Sequence, residues 1–588
     1  MVNKLMFAVV SVLFTVVAVA DILSPIVLNQ QTPDKYSTWE FALSGDDKPW
    51  FAYYGTDNTL YVRRPDGSEV GLGIADGPRE QSGLALAPVN DQAMAVLWRN
   101  KLPRKLLYLL PKIEPTGAAP APILVGSEES EPLTRLQMVR SKDTTYLLWL
   151  GEKGYPGNQE KFHLYFRSVE QEGKVLSPVE KVMPGRYLAW IVDQTAIPIF
   201  SWMEYEGHLA MTMRVFDRVD KSFGPVVKIA DAPQISPIFQ AFQSGKRWFL
   251  LWLGHHGELN NELLLEGMYS DDQGQTWKRF AFDTLRGLDI GTVAIATDHE
   301  QNLVVAVDGS RRFIDPEDAK SNIYIVRSTD NGATWQKPQT VRPDVARLTH
   351  AQFPLLAMGT QPGTVMLAWE DWRNIRPDIY VSYSRNYGET WEPALPLGRP
   401  GVWNLGLDPE PRVLVSDQQN RFFLVAKQYT DDSLFDQKDY VLYTLTWEDV
   451  RKNVESFKTP EAQALDTEER LRERVTTYWQ ALQDGQYMTS YALMDPFFRH
   501  FRDLKTYLSQ SGIIKYHRYQ VGAISRQGNI AKVPIEIEAS VPEFKTPSGQ
   551  TFRQPLKKTA FVETWLFVNN DWYREYYDEM AERPLTRY

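Results

Sequence analysis

Three segments of this 588-residue chain repeat one pattern, Ser-x-Asp-x-Gly-x-Thr-Trp, at a nearly constant interval. The first holds Ser270, Asp272, Gly274 and Trp277, and the second Ser328, Asp330, Gly332 and Trp335. The third holds Ser384, Asn386, Gly388 and Trp391, with Asn where the others have Asp. A fixed period of this length marks one supersecondary unit used repeatedly. The residue types describe a tight turn. Asp or Asn accepts bonds from nearby backbone N–H groups, Gly takes the positive-φ position, and Trp buries a large face beneath the loop. Alternating apolar residues precede each copy, at 265–269, 323–326 and 379–382, so each is expected at a hairpin tip.

The pattern also resembles the start of an EF-hand calcium loop. The twelfth positions, Phe282 and Val341, cannot supply the bidentate carboxylate such a loop needs, so a structural turn is the better reading. The motif is similar to the Asp box, or BNR repeat, of the sialidase-like propellers, which implies an all-β propeller. A second register agrees. Short apolar runs end at Tyr54, Trp98, Trp149, Trp202, Trp252 and Trp369, and aromatic-free runs at 304–307 and 422–426 fill the two remaining slots. The best count is eight four-stranded blades over residues 37–450, with six or seven if the faint early units merge.

Beyond residue 450 the period stops. Residues 451–465 read as a linker, and 466–588 as a small α+β, cone-shaped domain. Asp466 is expected to cap a helix, with Glu469 three residues on and Leu471, Val475, Tyr478 and Leu482 along one face. Strands are expected at 516–525, 530–541, 559–568 and 572–577. This layout resembles the NTF2-like (SnoaL-like) domains, and His500, Asp495 and Tyr516 are the polar candidates for an enclosed pocket.

Residues 1–20 have the form of an export signal: Lys4, an apolar run, then Ala18-Val19-Ala20 before Asp21. An uncleaved anchor is the alternative; if the signal is cleaved, no stable membrane span remains. With 0 Cys, disulfides, thiol catalysis and Cys-ligated zinc are excluded. A net charge of −10 argues against a nucleic-acid partner. The expected location is therefore the periplasm or outside the cell.

The boxes are third-to-fourth-strand turns, so binding groups are expected at the opposite face, in loops after each second strand. Those loops offer Arg99, Lys101, Glu152, Lys153, Glu204, His255, His256, Asp308, Arg311, Arg312, Glu370, Asp371 and Arg373. The richest runs from Trp369 to Tyr380. There Arg373 is a candidate carboxylate clamp and Glu370 or Asp371 a candidate acid or base, against the plainer reading that Asp371 and Arg373 hold the loop in shape. The sialidase resemblance implies an early Arg-Ile-Pro, which is absent; Arg63-Arg64-Pro65 reads as a hairpin turn. No metal or cofactor site is expected. The sequence thus favours a non-catalytic propeller that binds a glycan or an envelope protein, with a diverged sialidase-like glycoside hydrolase as the alternative.

Overall fold

The fold, obtained as a computed structural model, is described for residues 23–33, 38–74, 83–100, 106–126, 132–152, 162–185, 188–205, 208–231, 235–256, 262–311, 320–342, 349–398, 413–429, 438–457, 465–545, 551–578 and 583–584. The expected export signal lies outside them. Among these residues the chain forms eight successive antiparallel sheets, at 39–74, 84–126, 132–184, 188–231, 235–281, 289–340, 351–396 and 413–445. Each has four strands in chain order; in the third and fourth the outermost strand is split in two. The eighth takes its fourth strand from the other end of the chain, where Ile26–Val27 pairs with Lys438–Leu445.

The second strand of each sheet explains the apolar runs in the sequence. Leu303–Ser310 is buried at every position because a neighbouring sheet covers each of its faces. Val305 and Val307 pack toward the fifth sheet, while Val304 and Ala306 pack toward the seventh. Leu250 and Trp252 likewise face the fourth sheet, and Leu251 and Leu253 the sixth. Burying each such side chain contributes about 1.5–3 kcal/mol. The ring closes through the same chemistry. Phe41, Phe51 and Tyr53 of the first sheet pack on Phe423, Val425, Tyr440 and Leu442 of the eighth.

First strands of neighbouring sheets touch, as Trp39–Leu43 does Leu84–Pro88 and Asp289–Thr297 does Ala351–Met358, and so line the inner wall. The arrangement is propeller-like. Strand direction alternates, so first-to-second and third-to-fourth turns share one rim, and second-to-third loops lie on the opposite face.

The stretch expected as a linker begins differently. Helix α1 (Trp447–Phe457) occupies its first half and packs back on the sheets, with Trp447 and Val450 in the core of the seventh and eighth. Buried Asn453 anchors it, accepting from Leu23 N–H at 3.2 Å and donating to Leu397 O at 3.0 Å. One apolar residue per turn sufficed for this helix, so its polar look in sequence misleads.

Helices α2 (Glu468–Gln483), α3 (Tyr487–Ala492), α4 (Pro496–Phe501) and α5 (Leu504–Gln510) follow. They precede an antiparallel sheet of Lys515–Val521, Ile530–Lys545, Thr551–Val568 and Asp571–Arg574, with Ser525–Gln527 paired at its side. Leu471, Val475, Tyr478 and Leu482 face the core, as their spacing predicts. The cap is Thr467 rather than Asp466: the Thr467 hydroxyl accepts from Arg470 N–H at 3.1 Å, while Asp466 pairs with Arg526 at 2.6 Å. The central hairpin is also longer than its apolar pattern suggests, because its outer half is exposed on both faces and carries no core signal.

Candidate functional site

The three repeated turns lie between third and fourth strands, on one rim, with the same backbone-to-side-chain bonds in each. Ser270 Oγ accepts from Gly274 N–H at 2.7 Å and donates to Asp272 Oδ1 at 2.8 Å. Asp272 then accepts the amide (2.8 Å) and hydroxyl (2.6 Å) of Thr276. Ser328, Asp330, Gly332 and Thr334 repeat this; in the third turn Ser384, Asn386, Gly388 and the Thr390 amide do too, but Asn386 Nδ2 donates to the Thr390 hydroxyl at 2.9 Å instead of accepting from it. In each turn two consecutive residues adopt positive φ: Gln273 and Gly274, Asn331 and Gly332, Tyr387 and Gly388. The bonds from the Thr276 hydroxyl and amide lower Asp272 to a pKa of about 2.

The tryptophans then tie one sheet to the last. Trp277 meets Phe200 edge-on at 5.8 Å, Trp335 packs on Phe282 at 4.6 Å, and Trp391 joins the cluster between the sixth and seventh sheets. A Cβ on Gly274 would come within 2.7 Å of the Met213 side chain, and one on Gly332 within 2.7 Å of Phe249. These turns are structural joints. Among the described residues no group of three His, Cys, Asp or Glu side chains could hold a metal ion.

At the opposite face the clearest constellation is the loop of the seventh sheet between Val365–Asp371 and Asp378–Ser384. Asp371 is fully buried. Its Oδ2 accepts from Trp369 Nε1 at 2.8 Å and Arg373 Nη2 at 2.7 Å, and its Oδ1 from Arg373 N–H at 2.9 Å. Arg342, which lies outside the loop and which the sequence did not single out, brings its buried guanidinium within 3.5 Å. Burial pushes the Asp371 carboxyl upward, but the two arginines and the indole outweigh it and hold the group ionised.

The Arg373 guanidinium lies 4.1 Å from the centroid of the Tyr380 ring, and Asn374 Nδ2 donates to Tyr380 Oη and Asp378 Oδ2 at 2.8 Å each. Glu370 is buried too and accepts from Trp372 Nε1 at 2.5 Å. The loop's own groups therefore engage one Nη of Arg373 and the face of its guanidinium, while Nε has no partner among the described residues. That is the ion-paired, shape-holding arrangement.

The C-terminal helices and sheet sit on this loop. Arg376 Nη2 and Asp495 Oδ1 form an ion pair of 2.5 Å, with side chains 3% and 2% exposed. Asn529 Nδ2 donates to Arg373 O at 3.2 Å and Asn374 Oδ1 at 3.1 Å. Ile375 is buried among Ile530, Leu566 and Val568. Asp495, expected to face a pocket, instead caps α4 and binds Arg376.

Other sequence-predicted residues are not brought to this cluster. Asp308 is buried and accepts the Thr292 amide and hydroxyl and the Phe353 amide, stapling the inner strands of the sixth and seventh sheets. Arg311 is exposed at the end of its strand. Glu204 pairs through its backbone with Leu209, and His255 with Leu263. Lys101, Lys153 and Arg312 lie outside the described residues.

One carboxyl the sequence reading passed over is Glu40. It lies on Trp39–Leu43, the innermost strand of the first sheet, near the end facing the second-to-third-strand loops. It has no hydrogen bond or ion pair among the described residues, and burial alone pushes it up to about 7. Nothing in the local pattern Trp-Glu-Phe-Ala-Leu distinguishes it from an ordinary strand carboxylate.

Against known proteins, the BNR/Asp-box repeat family matches residues 268–279. No curated protein matches the chain. Solved structures similar to it include a polysaccharide lyase, an ulvan lyase, at 12% identity and a TM-score of 0.38, covering 65% of this chain and 96% of that one. The leech intramolecular trans-sialidase is similar at 10% and 0.31, covering 73% and 94%. A eukaryotic initiation factor is similar at 11% and 0.38, covering 70% and 86%. Likenesses this distant carry no weight for what the chain does.

Proposed function

We propose that this chain is an exported, eight-bladed propeller of sialidase-like type, acting in the periplasm or outside the cell as a non-catalytic binder of glycans. Its binding face is the one opposite the Asp boxes, and the C-terminal domain, NTF2-like in layout, roofs one sector of it. One observation carries this reading. The acid–arginine set that a hydrolase would use, Asp371 with Arg373 and Arg342, is closed upon itself and covered at Ile375 and Arg376. An arginine bound through one Nη to an internal carboxylate, stacked on Tyr380 and only 22% exposed presents a substrate carboxylate with a fraction of its guanidinium.

The test is a glycan array run beside a fluorogenic sialoside assay on the purified chain. Glycan binding without turnover supports the proposal. Binding of an envelope protein in place of any glycan would replace the ligand class, and turnover would overturn the reading. A glycoside hydrolase is the second reading, and Glu40 is what favours it: a partnerless carboxyl raised to about 7 suits a general acid. Turnover that survives in Asp371→Asn but falls at least about 100-fold in Glu40→Gln would establish it.

A further inference from the structure

The interior of the C-terminal domain holds a polar cluster that the propeller face does not use. Glu563 is buried with every lone-pair direction that matters engaged. Its Oε2 accepts from Trp479 Nε1 and Trp565 Nε1, each at 3.2 Å, and its Oε1 from Arg574 Nε at 2.5 Å. This fixes Arg574 by one edge. The other edge is unlike it: Nη1 meets only the Met494 sulfur, at 3.9 Å. The Glu563 side chain is 1% exposed and that of Arg574 23%, so the buried pair meets open space on the Arg574 side.

Around the free edge stand tyrosines. The Arg574 guanidinium carbon is 5.0 Å from the centroid of the Tyr478 ring. Tyr516 stands over the same tryptophan, edge-to-face with Trp479 at 5.5 Å. Burial pushes both phenols up, and the Arg574 charge acts on both in the opposite sense. Neither hydroxyl has a hydrogen-bond partner among the described residues, whereas Tyr507 nearby is bonded to Ser490 at 2.9 Å. Neither hydroxyl is sealed from solvent, and an accessible hydroxyl without a protein partner is one that a ligand or water can complete.

We infer that the open space at the free edge of Arg574 is a binding site for a small organic monocarboxylate. Its carboxylate takes the free Nη edge of Arg574 and the hydroxyls of Tyr478 and Tyr516, and its apolar body lies against Trp479 and Met494. Every group offered at that edge is a donor, which suits an acceptor-only carboxylate and not an amide or an ammonium. The Glu563–Arg574 pair is already neutral, so the affinity is modest, and the site selects by hydrogen bonding more than by net charge.

The experiment is calorimetric titration of the full chain with acetate, benzoate and phenylacetate, with benzamide as the isosteric neutral control. At least one carboxylate is expected to bind with a Kd of about 1 mM or tighter, and benzamide about tenfold more weakly than benzoate. The double variant Tyr478→Phe, Tyr516→Phe is expected to weaken carboxylate binding about tenfold or more, since each hydroxyl supplies one hydrogen bond. Its thermal unfolding should match that of the parent, because neither hydroxyl has a protein partner to lose. Absence of binding by all three carboxylates, equal binding of benzoate and benzamide, or an unaffected double variant would each overturn the inference. So would a folding defect in the double variant, which would show the hydroxyls to be structural.

Discussion

The two ends of the seventh sheet are closed in opposite ways. At the box end, Ser384, Asn386, Gly388 and Thr390 satisfy one another within seven residues, and the loop would be held in much the same shape on any propeller. At the other end, Asp371 draws on Arg342 from the previous connection, and Arg376 on Asp495, 119 residues away. The carboxylates differ accordingly. Asp272 on the box rim is kept ionised by its own turn, while Glu40 near the far end of the first sheet is left alone and pushed up to about 7. A local motif makes a rim that is stable whatever surrounds it. A face built from distant partners depends on the rest of the fold.

That contrast can be broken most forcefully at Arg376. Asp495→Ala strands a buried guanidinium and is expected to cost about 3–5 kcal/mol in urea unfolding. Arg376→Met with Asp495→Leu should recover most of the loss, since two apolar groups leave no unpaired charge. Recovery of less than half would mean that the pair does more than satisfy itself.

Glu40 gives the next largest effect. Its folded pKa is raised above the unfolded value near 4.3, so the folded state holds a proton that the unfolded state has released. Stability should therefore fall as pH rises from about 4 to about 7 and level off above that. Glu40→Gln should flatten that slope and stabilise the chain by about 2–3 kcal/mol at pH 8. Unfolding midpoints that respond to pH equally in both proteins would refute the assignment.

On the box rim, Asp330→Ala should cost only about 1 kcal/mol, because its turn is solvent-exposed and its lost bonds are partly replaced by water. The smallest change is Asn386→Asp, expected within about 0.5 kcal/mol of neutral, since the first two boxes already carry Asp in the same geometry. The variant should add a pH response. The contribution of a depressed carboxyl such as Asp272 is complete above about pH 4 and is lost as pH falls toward 2, whereas the native Asn does not titrate. Amide exchange in the third turn, followed from pH 5 to 2, would show whether the new Asp behaves this way.

The same division sets what could be read from the sequence. The boxes were legible because the bonds among their Ser, Asp or Asn, Gly and Thr run between residues at most four apart, and the paired hydroxyl, carboxyl and glycine leave few other conformations. The second strands were legible because burial on both faces writes continuous apolar runs. Asp371 and Arg373 were found as a pair for the same local reason. Arg342, Arg376 and Asp495 were not joined, since no spacing encodes a meeting between domains. Arg574 and Glu563 looked like ordinary alternating strand residues, and only the folded sheet puts them face to face. Thr467 was passed over for Asp466 because both are good caps and one residue of register decides between them.

The strand Ile26–Val27 has a consequence for how this chain reaches its native state. It finds its place only against Lys438–Leu445, and Asn29 accepts from Tyr440 N–H, 411 positions further along the chain. During synthesis the early segment must wait, unpaired and with Ile26 and Val27 still half bare even when docked, until almost the whole disc exists. Contacts of such high sequence separation form late and slowly, so the last step of assembly is the latching of the first-made strand. Until then the apolar faces of the first and eighth sheets and the free edge of Lys438–Leu445 stay open to a second nascent chain, so crowding at this stage favours entangled oligomers over the closed ring.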